Sequence, residues 1–137
     1  MRVYVESNFV LEQALQQEQC EACEEILNLA ALRRITLVVP AFSLGEPHQA
    51  LALKAKARNR LTNELQAHLS ELARSKPYRA ISEDFAVLAL ILVRSAEQER
   101  EGLQRTIARL LDVAEVVPLD SGSLLSAAGL QTALGMS

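Results

Sequence analysis

The sequence predicts an α/β fold, a short parallel sheet flanked by helices, with two long helices at its centre. Three observations lead to it. Short β-branched apolar runs alternate with segments of helical periodicity along the chain. The strand candidates are apolar throughout, as befits strands buried under helices in a parallel sheet. From Pro47 to about Ser75 there is no breaker, and Leu51, Leu61, Leu65, Leu69 and Leu72 recur at steps built from three and four residues.

The elements follow in order. Val3 to Val5 are strand-forming, so residues 2–5 make the first strand, and residues 7–15 have a helical composition. "EACEEILNLAALRR" (21–34) is a second helix, with Ala22, Ile26, Leu29 and Ala30 apolar and Arg33 and Arg34 at its end, where the helix dipole favours cations. "ITLVV" (35–39) is a strand stopped by Pro40. Pro47 suits the first turn of the long helix that runs to Ser75, because its missing N–H is not needed there. "SKPYRAIS" breaks that helix, and Ser82 with Glu83 to Phe85 opens a second long one that reaches Asp112 and tolerates Gly102. "AEVVPLD" (114–120) is the third strand, with Asp120 as a cap, and a further helix begins in 121–135.

No repeat or linker divides the chain, so residues 1–137 form a single domain. Hydrophobic residues are 50% of it, which excludes wholesale disorder, and with aromatics at 4% and no Trp the core must be aliphatic. A net charge of −3 offers no global attraction for nucleic acid, so RNA contact would need a local patch. No apolar run reaches the roughly 18 residues of a membrane span, and no signal peptide is visible; a cytoplasmic protein with no membrane partner is expected. Cys20 and Cys23 stand in a C-x-x-C without a second Cys pair or a His at ligand spacing, and read as a half-buried helix face.

Ligands of parallel sheets bind beyond the carboxyl ends of the strands. Glu6 stands at that end of the first strand and Glu46 a few residues past that end of the second. A single Glu at a helix start is commonly a cap or a dipole partner. Two on one edge point elsewhere, because paired carboxylates are what hard divalent cations bind.

The stretches "VYVESNFVL", "LVVPAFSLGEPHQAL" and "PLDSGSLLSAAGLQTALGMS" together resemble the PIN domain, a family of metal-dependent ribonucleases that includes VapC-type toxins. Its members open with a hydrophobic strand, an acidic residue, Thr or Ser, and Asn; a second acidic residue follows a strand ending in Pro. Glu6, Ser7 and Asn8 match the first motif and Glu46 the second. The resemblance implies that Glu6 and Glu46 are catalytic, that they hold Mg²⁺ or Mn²⁺, and that Ser7 and Asn8 orient a carboxylate or a coordinated water. It implies RNA as substrate, with an antitoxin protein or a second copy as partners. The family has Asp where this chain has Glu6, whose carboxylate reaches the metal from about one methylene further away. Its third acidic residue, with a further helix and a last strand, would fall after Ser137.

Lys54, Lys56, Arg58 and Arg60 form a basic run beyond Glu46, read either as contacts to RNA phosphates or as a solvated helix face. His48 is near enough to Glu46 to assist it, although a plain surface His is the simpler reading. The function expected is metal-dependent RNA hydrolysis. The alternative is a PIN-like fold that has lost catalysis and binds RNA or protein as a regulatory module.

Overall fold

The computed structural model describes residues 1–118; Asp120 and the helix expected in 121–135 lie outside them. In order come β1 (Arg2–Tyr4), α1 (Ser7–Ala14), α2 (Cys20–Ala31), β2 (Thr36–Pro40), α3 (Phe42–Leu72), a 3₁₀ turn (Lys76–Tyr78), α4 (Ile81–Val113) and β3 (Ala114–Val117). Among the described residues the chain is α/β and mostly helical, with four helices and one three-stranded parallel sheet of order β1-β2-β3. No helix of the described residues is long and apolar enough to cross a membrane.

Strand order explains which surface of the sheet is covered. Each crossover steps in the same direction across the sheet, so two right-handed crossovers place their helices on one face. Val3, Val5, Leu37, Val39, Ala114 and Val116 accordingly pack into one core with Val10, Leu27, Leu103 and Leu110. Residues of the other parity carry an exposed pattern: Arg2, Tyr4, Thr36 and Glu115 are solvent-facing, and an Arg2–Glu115 ion pair of 3.0 Å reaches across β2. Beneath it Val38 is 1% exposed, flanked in register by Tyr4 and Glu115. Among the described residues, then, the helices cover one face and do not flank the sheet on both, as the apolar strands had suggested.

The first helix ends where expected, whereas the end of the second departs from expectation. α2 stops at Ala31 rather than running through Arg34, because Arg33 turns left-handed (φ 59) and the Arg34 and Arg33 N–H groups donate back to the Leu29 and Ala30 carbonyls. Gln16 (φ 51) does the same for α1, with the Gln17 N–H on the Glu12 carbonyl. Both are closures usually made by glycine, so the arginines end α2 through their backbone. α3 begins at Phe42, before the expected start, which puts Pro47 inside the helix and fully buried. Its ring removes the N–H that the Ser43 carbonyl would otherwise accept.

α1 is tied to α2 and α4 by a polar cluster that no local pattern announces. Arg109 donates to both Glu24 carboxylate oxygens (2.7 and 2.6 Å) and to Asn28 Oδ1 (2.8 Å), and Gln13 donates to Glu24 (2.7 Å). The Arg109 hydrogen bonds hold the Glu24 carboxyl below the usual carboxylate range, against the opposing effect of burial. A lowered folded pKa means that this contribution is present above the ordinary Glu value and is lost as pH falls through the folded one. Arg109→Leu is therefore expected to flatten the loss of stability that sets in as pH falls below the ordinary Glu value, relative to the parent chain. Urea midpoints at a series of pH values check this, and parallel curves would show that the cluster does not couple to acid stability.

Past Leu51 on α3 and before Leu103 on α4, neither helix adds to the core. These stretches pair antiparallel as a two-helix arm, clamped by Arg58, whose guanidinium makes two 3.0 Å bonds to Glu99 and one of 3.4 Å to Ser95.

Candidate active site

The carboxyl edge of the sheet is where β1 and β2 hand over to α1 and α3. Glu6 occupies the N-cap position of α1 in extended conformation, and its backbone carbonyl accepts from the Phe9 and Val10 N–H groups. Its side chain makes no capping hydrogen bond and is exposed to solvent. The ordinary explanation for a Glu at a helix start, a carboxylate satisfying orphan N–H groups, therefore does not account for it.

Glu46 lies in the second turn of α3, whose chain leaves the carboxyl end of β2 through Ala41. Its Oε2 accepts a hydrogen bond from Ser7 Oγ at 2.5 Å. Ser7 follows Glu6 directly, and β1 pairs with β2 in parallel, so the two carboxylates belong to one edge and are joined through Ser7. A charge-assisted bond of this length holds the Glu46 carboxylate in one orientation. Both helices aim their N-termini at this edge with no acidic residue in either first turn, so the partial positive charge there offsets repulsion between the carboxylates. Asn8 is exposed, and its side chain makes no hydrogen bond among the described residues.

These residues supply hard oxygen donors: two carboxylates and a hydroxyl. They fit Mg²⁺ or Mn²⁺ in donor chemistry, with the remaining coordination positions open to water and phosphate. Among the described residues no group of three or more His, Cys, Asp or Glu side chains comes together for a metal.

The basic run divides by helical geometry. Arg58 is committed to Glu99 and Ser95 on α4 and is not available to a ligand. Lys54, Lys56 and Arg60 are exposed. Lys56 and Arg60 share a face at i, i+4 spacing, beginning about 15 Å along α3 from Glu46, while Lys54 lies on another face. His48 stands about 200° around α3 from Glu46, and lines a small cleft with Leu51, Ala52, Ala96 and Arg100 instead of backing the carboxylate. His68 is exposed on the arm.

The cysteines are free thiols, Cys20 half-buried and Cys23 buried. Burial pushes the Cys23 thiol up, which lowers its thiolate content and suits a packed helix face better than redox or metal chemistry. Sequence reasoning did not reach the Ser7–Glu46 bond or the loss of Arg58 to Glu99. The residue pairs lie 39 and 41 positions apart, and no local pattern signals either.

Comparison of the chain with protein-family models, with curated proteins and with solved structures gave no match.

Proposed function

We propose that the chain is a metal-dependent ribonuclease of the PIN type, hydrolysing RNA at the carboxyl edge of its sheet with Glu6 and Glu46 as the catalytic carboxylates. The observation that carries this reading is the Ser7–Glu46 bond, which ties the residue next to Glu6 to Glu46 across two separate strand–helix turns at one edge. It is supported by the free state of the Glu6 side chain, which has no capping bond to keep it from a ligand. A divalent ion held there would neutralise charge on the scissile phosphate and make a water acidic enough to attack it. Glu6 and Glu46 supply the anionic oxygens, and Ser7 keeps Glu46 in its orientation. The N-termini of α1 and α3 favour the approach of an anionic phosphodiester.

The test is an RNA cleavage assay on the chain with Mg²⁺, with Mn²⁺ and with chelator. Cleavage that needs the metal and disappears in Glu46→Gln is expected. RNA binding without cleavage would replace this reading with that of a regulatory binding module, and neither binding nor cleavage would end it.

Lys56 and Arg60 are proposed to hold the RNA backbone as it leaves the site. Replacing both with Ala should weaken binding to all RNA sequences alike. It should also make the plot of log affinity against log salt shallower, by about 0.7 for each phosphate no longer neutralised on a single strand. An unchanged slope would assign these residues to a solvated face.

A further inference from the structure

The arm leaves a series of large apolar side chains exposed, and the arrangement of that surface points to what covers it. On α3, Lys54, Arg58, Leu61, Leu65 and Leu72 recur at i, i+4, i+7, i+11 and i+18, which is one stripe of a helix. On α4, Asp84, Leu88, Ile91, Ser95 and Glu99 recur at i, i+4, i+7, i+11 and i+15, another stripe. Arg58 of the first stripe bonds to Ser95 and Glu99 of the second, so both lie on the same side of the hairpin. The seam between the helices is filled by Ala55, Thr62 and Ala89 together with Leu69, Phe85 and Leu92, all half-buried, while Leu61, Leu65, Leu88 and Ile91 stay outside.

We infer that this side of the arm is the contact surface for a second copy of the chain, packed antiparallel about a two-fold axis near Leu61, Leu65 and Ile91. Area and charge both favour that occupant. Leu61, Leu65, Leu72, Leu88 and Ile91 are 54%, 43%, 43%, 60% and 56% exposed. That is roughly 450 Å² of apolar surface, close to the non-polar share of a standard interface burying about 800 Å² per partner. An isologous contact must also be complementary to itself. Lys54 closes the patch on the body side and Asp84 on the tip side, both exposed, at nearly equal distances along the arm from its centre. Turning a second copy end for end brings Lys54 of each chain level with Asp84 of the other, on the neighbouring helix. A parallel arrangement would set like charges together, which is unfavourable.

The surface is separate from the carboxyl edge that holds Glu6 and Glu46, so the inference does not depend on the nuclease reading. The experiment is sedimentation equilibrium on the whole chain and on three variants, with circular dichroism to follow helix content. The parent chain is expected to be a dimer at micromolar concentration, and Leu65→Glu with Leu88→Glu a monomer of unchanged helicity. Lys54→Asp alone should weaken the dimer by about tenfold or more, and adding Asp84→Lys to it should restore the dimer. That restoration separates a broken interface from a damaged fold. A monomeric parent chain, a dimer that survives the double Glu variant, or a charge swap that fails to restore association would each overturn the inference. So would a monomer that floats with phospholipid vesicles, which would make a lipid surface the occupant.

Discussion

Glu46→Gln is expected to lower metal-dependent RNA cleavage by more than about a hundredfold, beyond the ten- to hundredfold loss that follows removal of an outer partner of a metal site. Gln keeps the size and shape of Glu and still offers Ser7 an oxygen to donate to, so the fold is not disturbed. What it removes is the negative charge, and a hard cation held by only two carboxylates depends on each of them. Glu6→Gln should therefore fall as far, and Glu6→Asp should retain activity if the ion is placed as the PIN resemblance implies. Ser7→Ala leaves both charges and loses only the donor that orients Glu46, so it should cost less than either Gln variant. The ranking is measured by single-turnover rates with saturating Mn²⁺. A Glu6→Gln chain that cleaves at the parent rate would remove Glu6 from the site.

Gly102→Ala is expected to destabilise the protein by about 1–3 kcal/mol, the range for forcing extra atoms into a packed region. A Cβ built on Gly102 would meet the backbone carbonyl oxygen of Ala14 at 2.3 Å, far inside van der Waals contact. Backbone cannot swing aside as the end of a side chain can, so α1 and α4 would have to part, disturbing Leu103 and Val10 in the core. The opposing effect is the gain of up to about 1 kcal/mol from replacing a helical glycine by alanine, which is too small to win. Gly45→Ala provides the contrast. Nothing lies within 4 Å of its Cβ position, so the propensity gain should appear there as a stabilisation. Urea midpoints of the two variants should move in opposite directions. Equal or like-signed shifts would show that the approach of α1 to α4 is not tight.

Much of the fold was legible because its signals are local. Val38 and Val39 followed by Pro40 mark a strand and its end within a few residues, and "SKPYRAIS" marks the bend between the two long helices. Even the position of Glu6 past a strand and Glu46 past the next could be read, since parallel neighbours put such residues on one edge. The helix ends were misjudged at Arg34 and Pro47 because a left-handed Arg33 and a proline inside α3 run against residue preference, and packing decided both.

What the sequence determined by itself is the set of elements from β1 to β3, their order and the acidic residues past the ends of β1 and β2. All of these follow from interactions a few residues apart. Only the tertiary structure decided that Ser7 donates to Glu46, that Arg58 belongs to Glu99 and not to a ligand, and that Arg109 closes on Glu24. It also decided that Gly102 is a point of contact with α1, where Ala14 leaves no room for a side chain, and that the helices cover one face of the sheet. The physical reason is common to all of these. Each depends on which distant segments the strand order and the crossover direction bring together, and no pattern of neighbouring residues carries that information.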